Sequence, residues 1–388
     1  MFKVQTLNNI SRNGLDRLPA NLYSVANDVT EPDAVLVRSA DMHKSPIPVS
    51  VKAIARAGAG VNNIPVADLS ARGVPVFNAP GANANAVKEL VVAGMLLAAR
   101  NLADAIGFVR DLKSGDDLHH RVEAEKKRFV GSELAGKTLG VIGLGAIGVK
   151  VANAAHALGM RVLGFDPHMT VEGAWQLSSE VAKAGSLGEL FAASDYITFH
   201  VPLNDKTRGI FGAQALDVAR NGVVLLNFAR EGIVDAATLR KGLENGRIGR
   251  YVSDFPDADL LGNPRVIALP HLGASTGEAE ENCAVMVVDQ LRDFLEHGNV
   301  RHSVNFPETR MSRSGTARIC VANQNRPNMI GQLSHVLGEA GVNIAQMHNA
   351  SRAELAYTLI DVDSPVPPTL VSAIAAIDGI LSVRVIPG

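Results

Sequence analysis

A glycine-rich turn between a predicted strand and a predicted helix constrains the fold of this chain more than any other feature. Gly143, Gly145 and Gly148 follow the apolar run 139–142, and residues 147–158 have helical periodicity. In such a turn the glycines permit the tight bend, the close approach of backbone to a phosphate, and helix packing against the strand. The helix N-terminus supplies unpaired N–H groups for an anion. The pattern predicts a dinucleotide-binding β–α–β unit.

An acidic residue follows the next predicted strand. Residues 161–165 form that strand, and Asp166 lies 18 residues after Gly148. A carboxylate there accepts hydrogen bonds from an adenosine ribose and repels a 2′-phosphate. The alternative is a surface aspartate on a purely structural strand–turn–helix. The spacing favours NAD over NADP as the cofactor.

The composition fits a chain with several folded domains. Its 388 residues allow two or three domains, and 47% hydrophobic against 20% charged residues excludes general disorder. The net charge of −2 argues against nucleic-acid or membrane partners. Cys283 and Cys320 are too few for a disulfide framework or a zinc cluster, so no metal site is predicted. Two cysteines and no signal-peptide pattern indicate the cytoplasm.

Alternating strand and helix patterns indicate the domain organisation. Strands are predicted at 34–37, 53–55 and 74–77. Six more strands match a doubly wound parallel sheet, at 138–142, 161–165, 196–200, 223–227, 251–254 and 266–269. A helix pattern runs through 85–112, and another after 275 is expected to return to the first lobe. Residues 318–385 read as βαββαβ, the ferredoxin-like unit. We predict a discontinuous domain (1–88 and 275–306), a dinucleotide-binding domain (89–274), a linker (307–315) and a C-terminal domain (316–388).

Three polar residues follow predicted strands of the second sheet. Arg230, Asp254 and His271 lie at or just past carboxyl ends of strands, where such folds bind ligands. The fork of an arginine can grip a carboxylate, and a histidine can exchange a hydroxyl proton. The alternatives are a surface arginine and a hydrogen-bonded core histidine. Their joint placement favours the chemistry of a hydroxy-acid dehydrogenase.

Three motifs resemble those of the D-2-hydroxyacid dehydrogenases. They are residues 137–145 (KTLGVIGLG) with Ile147 and Gly148, 227–232 (NFAREG) and 270–275 (PHLGAS). The loops RSA (38–40), AGAGVNN (57–63) and NAPGAN (78–83) also fit the family. The resemblance implies a flavodoxin-like substrate lobe and a Rossmann NAD lobe. It is strongest to members that oxidise 3-phosphoglycerate with NAD, the entry step to serine.

The resemblance also implies roles for individual residues. Arg230 would orient the substrate and His271 would exchange the proton. The family's glutamate partner of the histidine is missing here, so Asp257 or Asp259 is expected to replace it, the alternative being two solvated loop acids. The implied substrate-binding residues are Arg38, Ser39, Gly58, Ala59 and Gly60. The implied cofactor-binding residues are Gly143, Gly145, Ala146, Ile147, Gly148, Asp166, His200, Val201, Pro202, Asp254 and Gly273.

The C-terminal βαββαβ pattern resembles an ACT domain, a small-ligand regulatory module. Asn325-Arg326-Pro327 and Gly341-Val342-Asn343-Ile344 fit its turns. The resemblance implies that Asn323, Asn325 and Asn343 bind an effector, serine in related proteins. Asn328 departs from the family's glycine, and turn chemistry alone also accounts for asparagines in such loops.

Other functions remain open at this stage. A glyoxylate or hydroxypyruvate reductase belongs to the same superfamily but usually lacks the C-terminal domain. A non-catalytic NAD(H)-sensing protein would retain the glycine turn. A homo-oligomer, dimer or tetramer, is expected.

Overall fold

The computed structural model describes residues 1–112 and 117–388, which divide into two compact units. The first unit combines Met1–Asn83 with Gly277–Gly388, and the second is Ala84–Thr276. The first unit is therefore built from two separate stretches of sequence.

The described residues form sixteen strands and thirteen α-helices. The strands are β1 Phe2–Thr6, β2 Tyr23–Ala26, β3 Ala34–Val37, β4 Ala53–Arg56, β5 Val76–Phe77, β6 Thr138–Ile142, β7 Arg161–Phe165, β8 Ala182–Lys183, β9 Tyr196–Phe199, β10 Val223–Asn227, β11 Ile248–Ser253, β12 Val266–Ala268, β13 Ala317–Gln324, β14 Ile344–Arg352, β15 Leu355–Val362 and β16 Ile380–Pro387. The helices are α1 Arg12–Leu15, α2 Val66–Ala71, α3 Ala84–Arg100, α4 Leu102–Arg110, α5 Leu118–Glu125, α6 Ala146–Ala157, α7 Val171–Gln176, α8 Leu187–Ala193, α9 Ala213–Val218, α10 Ala236–Glu244, α11 Gly277–His297, α12 Met329–Glu339 and α13 Pro368–Ala375. Short 3₁₀ helices cover Met42–Lys44, Lys126–Phe129 and Ala258–Leu260.

The first unit contains a five-stranded parallel sheet with the order β2-β1-β3-β4-β5. This is the flavodoxin-like order. Helix α11 packs on it, burying Cys283, Val287 and Leu291 in a common core with Val4 and Leu36. The helix approaches α1 so closely that a Cβ on Gly14 would lie 2.7 Å from that of Ala284. Gly298, at φ +77°, ends the helix.

The second unit contains a seven-stranded parallel sheet. Its order is β12-β11-β10-β9-β6-β7-β8, in which the chain reverses direction of winding between β6 and β9. A crevice at such a reversal is where doubly wound sheets bind dinucleotides. The short strand β8 adds a seventh member to the six predicted. The predicted α/β class with doubly wound parallel sheets is confirmed.

The long helix predicted over 85–112 is two helices. Between α3 and α4 stands Asn101 in the left-handed conformation (φ +52°), and the helix axes bend by 72°. The Asn101 side chain donates to the Val130 carbonyl at 3.0 Å and accepts from Arg250 at 2.6 Å. These two hydrogen bonds hold the residue out of the helix.

Residues 317–387 form the predicted βαββαβ arrangement, an antiparallel sheet with the order β14-β15-β13-β16. One core lies between this sheet and α12 and α13, and includes Leu333, Ile360 and Ile374. The other face contributes Cys320 and Tyr357 to the same core as α11. The C-terminal sheet is thus covered on both faces within the first unit.

The segment predicted as a linker is packed rather than exposed at several positions. Thr309 is fully buried and pairs with Val300, and Met311 is 6% exposed in the core around α11. Arg318, also fully buried, donates to the carbonyls of Met311 and Ser312 at 2.9 and 3.0 Å. This segment therefore fixes the C-terminal sheet against the rest of the unit.

In the described part of the chain, no single helix is both long and apolar enough to cross a membrane. Helices α3 and α4 together have sufficient length and apolar character, but only as a pair bent by 72°.

Candidate active site

The glycine turn after β6 has the geometry that its sequence predicts. Gly143 adopts φ +89°, and a Cβ there would lie 2.6 Å from the carbonyl oxygen of His200. A Cβ on Gly148 would lie 1.9 Å from the Gly143 carbonyl oxygen. Both contacts are shorter than side chains allow, so only glycine fits at either position.

The N-terminus of α6 is open to a ligand. Gly145 is its N-cap residue and provides no side-chain oxygen for the first-turn N–H groups, which include those of Ala146 and Ile147. No described atom lies within 4 Å of a Cβ built on Gly145. Uncapped N–H groups facing open space at a helix N-terminus fit the pyrophosphate of a dinucleotide.

Asp166 lies directly after β7, with its carboxylate fixed by the backbone. Oδ2 accepts from Leu144 N–H and Oδ1 from His168 N–H, both at 2.8 Å. Each carboxylate oxygen can accept a further hydrogen bond. The carboxylate is therefore held in place and still able to receive the hydroxyls of a ribose.

His200 follows β9 and is held in its neutral form. Its Nε2 lies 3.0 Å from Thr198 Oγ1, and burial lowers the pKa of His200 to about 3. Its Nδ1 is buried and has no hydrogen-bond partner among the described residues. Val201 approaches the glycine turn, with Cγ1 2.9 Å from a Cβ built on Gly143. A neutral imidazole with an unused nitrogen fits a cofactor pocket beside this turn. Pro202, in the same loop, accepts from Thr207 Oγ1 at 2.5 Å.

Arg230, Asp254 and His271 follow three adjacent strands of one sheet. Arg230 comes after β10, Asp254 directly after β11, and His271 after β12. Arg230 is exposed, and its Nη1 donates to the Ala229 carbonyl at 2.6 Å. Carboxyl ends of parallel strands lie at one edge of a sheet, so the topology places the three residues at the ligand-binding edge.

Asp254 holds the loop that carries His271. Its Oδ2 accepts from Gly273 N–H at 3.0 Å, two residues beyond the histidine. The residue is 1% exposed, and Oδ1 is buried with no partner in the described part of the chain. An unpartnered buried carboxylate oxygen can accept from a donor on a ligand, such as an amide N–H.

The His271 imidazole contacts an aromatic ring. The centroids of Phe255 and His271 are 4.8 Å apart. The structure does not bring either predicted acid partner into hydrogen-bonding contact with His271: Asp257 accepts from Asp259 N–H at 2.9 Å, and the Asp259 carboxylate pairs with Arg240. The acid partner of His271 therefore stays a prediction.

In the first unit, one asparagine organises the turn that carries Arg38 and Ser39. Asn8 Oδ1 accepts from the backbone N–H groups of Arg38, Ser39 and Ala40 at 3.1, 2.9 and 2.9 Å. The Arg38 guanidinium pairs with Glu280 on the first turn of α11. An anion bound to Arg38 would share it with this carboxylate.

The loop after β4 contains the other predicted substrate-binding residues. Gly58 N–H donates to the Arg56 carbonyl at 2.8 Å, whereas the N–H groups of Ala59 and Gly60 make no backbone hydrogen bond within the described residues. Asn78 Nδ2 donates to the Ala59 carbonyl at 2.6 Å. The two unused N–H groups suit an anionic ligand.

Two of the predicted effector residues, Asn323 and Asn325, lie at the end of β13, and the third, Asn343, lies just before β14. Asn323 is 1% exposed, and its Oδ1 is buried without a partner among the described residues. Asn325 donates to the Ala353 carbonyl at 3.0 Å, and Asn343 pairs with Asp363. Asn328 adopts φ +64°, which explains how it occupies a position where glycine is usual.

The comparisons with known proteins agree with this geometry. Residues 92–273 match the NAD binding domain of the D-isomer specific 2-hydroxyacid dehydrogenases. The D-3-phosphoglycerate dehydrogenase of Bacillus subtilis is 32% identical over 378 residues, 93% of this chain and 69% of that protein. The chain belongs to the D-isomer specific 2-hydroxyacid dehydrogenase family. The resemblance inferred from the motifs and the NAD-binding prediction are confirmed.

Alignments with two other proteins cover a smaller part of this chain. The D-3-phosphoglycerate dehydrogenase of Methanocaldococcus jannaschii is 35% identical over 314 residues, 79% of this chain and 56% of that protein. The chain thus spans about half the length of that curated relative. A glyoxylate reductase from Paecilomyes thermophila superposes with a TM-score of 0.65 at 26% identity, covering 78% of this chain and 98% of the reductase.

The structure also adds residues that the sequence did not single out. Arg56 Nε donates to the Arg38 carbonyl at 3.1 Å, and its Nη1 lies 2.3 Å from a Cβ built on Gly58. Arg56 thus places a second guanidinium beside the predicted substrate loop. The sequence could have indicated Arg56 as a candidate substrate-binding residue, because it directly precedes the AGAG sequence of the loop. Asn8 and Phe255 carry no motif and appear only through their contacts.

Proposed function

We propose that this protein is an NAD-dependent dehydrogenase that oxidises 3-phosphoglycerate at C2 to 3-phosphohydroxypyruvate, the first step of serine biosynthesis by the phosphorylated route. The observation that carries the proposal is the placement of Arg230, Asp254 and His271 after three adjacent strands of the NAD-binding sheet. A cation, a carboxylate and an imidazole at this edge are the groups that oxidation of a hydroxy acid requires.

Two side chains would act directly on the substrate. Arg230 would bind the carboxylate and the C2 oxygen with its fork of N–H donors. His271 would take the proton of the C2 hydroxyl as C2 becomes a carbonyl carbon, and would return it in the reverse direction. Phe255 and the Asp254–Gly273 hydrogen bond would orient the histidine and its loop. NAD, when bound, accepts the hydride that leaves C2.

Residues of the first unit would recognise the anionic groups of the substrate. Arg38 and Arg56 supply guanidinium groups, and Ala59 and Gly60 supply N–H groups that the described backbone does not use. This donor set suits a phosphate or a carboxylate. It accounts for how a chain with a net charge of −2 binds a trianionic substrate through a few placed groups.

The extent of the match to a phosphoglycerate dehydrogenase, which reaches into the C-terminal domain, supports phosphoglycerate as the substrate. The alignment with the Bacillus subtilis phosphoglycerate dehydrogenase covers 93% of the chain. Glyoxylate or hydroxypyruvate reduction is the second candidate, because a glyoxylate reductase superposes on 78% of this chain at a TM-score of 0.65.

We also propose a regulated, cytoplasmic homo-oligomer. The unpartnered Oδ1 of Asn323, with Asn325 and Asn343, would bind the ammonium and carboxylate groups of serine. The exposed apolar side chains of α4, which include Ile106 at 48% and Val109 at 58%, support association between copies. Free Cys283 and Cys320 fit a reducing compartment.

Steady-state NADH absorbance with a substrate panel tests the proposal. We expect turnover of 3-phosphoglycerate with NAD, weaker turnover with NADP, and inhibition by serine. Faster reduction of glyoxylate or hydroxypyruvate would favour the second candidate. No turnover of any hydroxy acid, with NAD still bound, would indicate an NAD(H)-sensing protein instead.

A conservative variant tests the role of Arg230. Arg230→Lys should lower kcat/KM about 100-fold with little change in NAD affinity, because lysine keeps the charge but loses the bidentate fork. Arg220→Lys is the matched control, since Arg220 forms a surface pair with Asp195 in the same unit. Equal kcat/KM in the two variants would remove Arg230 from the mechanism.

A further inference from the structure

We propose that a cavity in the first unit, at the base of the C-terminal sheet, binds a small organic anion with an apolar body. The cavity has a volume of about 480 Å³ and lies between the strand β16, the loop before β4 and the turn after α2. It involves neither the predicted substrate residues nor the predicted effector asparagines. The proposal therefore stands whether or not the proposed function holds.

Three cations line the cavity, and none of the described residues that line it is acidic. Lys52, Arg72 and Arg384 belong to three different elements of the unit. Lys52 forms a salt bridge with Asp33, which does not line the cavity, with Nζ–Oδ1 at 2.7 Å. The lining therefore carries a positive charge that its own members do not compensate.

The two arginines are anchored by carbonyl oxygens. Arg72 donates from Nη1 to Ile47 at 3.1 Å and from Nη2 to Pro48 at 2.7 Å. Arg384 donates from Nη1 to the Leu295 carbonyl at 3.2 Å and from Nη2 to the Phe294 carbonyl, and its guanidinium lies 4.1 Å from the centroid of the Phe294 ring. Neither has a carboxylate partner within the described residues. Each guanidinium is held in place with N–H donors left for a ligand.

The remaining polar groups of the lining add no negative charge. Burial raises the pKa of Tyr357 well above its ordinary value, and burial also raises the pKa of Cys320. Both are therefore neutral near pH 7. The Ser382 hydroxyl donates to the Gly73 carbonyl at 3.1 Å. An anionic ligand would therefore balance the positive charge of the lining.

Apolar side chains define the body of the ligand. Val51, Val74, Phe294 and Leu381 line the cavity beside the cations. An aromatic or aliphatic compound bearing one carboxylate or phosphate would bury its apolar part against these residues and pair its charge with the arginines. A fully hydrated inorganic ion would leave the apolar side chains of the cavity without a partner.

Titration calorimetry with phenyl phosphate tests the site. The full-length protein should bind it, and Arg72→Gln should weaken this binding about tenfold. Arg384→Gln should do the same. Inorganic phosphate should bind more weakly than phenyl phosphate, and neutral benzyl alcohol should not bind measurably. Phenylacetate in place of phenyl phosphate distinguishes a carboxylate from a phosphate ligand.

A matched variant and a stability measurement complete the design. Arg313→Gln also removes a guanidinium that donates to carbonyls, those of Ile386 and Pro387, but Arg313 lies outside the cavity. It should bind phenyl phosphate like the wild type. Thermal melts show whether Arg384→Gln is still folded. If it is not, the binding of phenyl phosphate by Arg72→Gln decides whether the site exists. Equal binding by the wild type, Arg72→Gln and Arg313→Gln, or no binding by the wild type, would overturn the proposal.

Discussion

Asp361→Asn is expected to destabilise the first unit strongly, because it breaks a fully buried ion pair. Arg318 and Asp361 are both 0% exposed, and they form two parallel hydrogen bonds, Nε–Oδ1 at 2.6 Å and Nη2–Oδ2 at 2.9 Å. Nη1 donates to His297 and Met311 at 2.7 and 2.9 Å, and Nη2 also donates to Ser312 at 3.0 Å. All five donors of the guanidinium are used.

The expected cost follows from this geometry. Removing one partner of a buried pair leaves an uncompensated charge and costs about 3–5 kcal/mol. For a unit of this size, about 200 residues, each kcal/mol lowers Tm by roughly 2–4 °C. Asp361→Asn should therefore lower the Tm of the first unit by about 6–20 °C. Scanning calorimetry measures this shift.

Acid pH provides an independent check on the same pair. Burial alone raises the pKa of Asp361, but hydrogen bonds from Arg318 and Ser314 outweigh it, so the pKa is lowered overall. A carboxyl with a lowered pKa stabilises the fold above its unfolded-state pKa, about 3.9, and loses that contribution as pH falls. The difference in Tm between wild type and Asp361→Asn should be constant from pH 5 to 8 and shrink below pH 4.

Asp378→Asn is the matched control. Asp378 pairs with Arg326 in the same C-terminal region, but its side chain is 93% exposed. A surface pair contributes about 0–1 kcal/mol, so this variant should melt close to the wild type. Equal Tm shifts for Asp361→Asn and Asp378→Asn would refute the reasoning that burial makes the first pair costly to break.

Three further predictions concern the cofactor pocket and the C-terminal sheet. Asp166→Ala should reduce the preference for NAD over NADP in kcat/KM at least tenfold; an unchanged ratio would exclude contact with the ribose. Burial keeps the His200 imidazole neutral, so the free energy of unfolding of the second unit should fall by up to about 1.4 kcal/mol per pH unit between pH 6.5 and 3. His200→Gln should make this dependence on pH weaker. Urea titrations at several pH values measure the slope, and an unchanged slope would assign it to other groups. Truncation after Gly315 should lower Tm and solubility, because it uncovers Phe294 and Phe306 in the core shared with the C-terminal sheet; a truncated protein that melts like the full chain would contradict this packing.

The sequence predicted most of the buried parallel sheet. Strands 138–142, 161–165 and 223–227 were predicted with the bounds that the structure shows, since strands covered on both faces are continuous apolar runs. β1, β2 and β8 were missed. β2 and β8 are short and mostly exposed, and β1 buries only Val4 and Thr6, so none of the three is a continuous apolar run. The break at Asn101 was missed because long-range hydrogen bonds hold it, while the local sequence favours one helix.

The sequence by itself determined the glycine turn, the acid after β7 and the family. These features are local: Gly143 and Gly148 are required by backbone angles and contacts within one strand–turn–helix, so the residue types record the geometry. The tertiary structure alone decided the rest. Arg56 donates to the Arg38 carbonyl, Arg318 pairs with Asp361, and the C-terminal sheet shares the core of α11, because chain topology joins residues distant in sequence. Such pairings leave no local pattern, and only the fold reveals them.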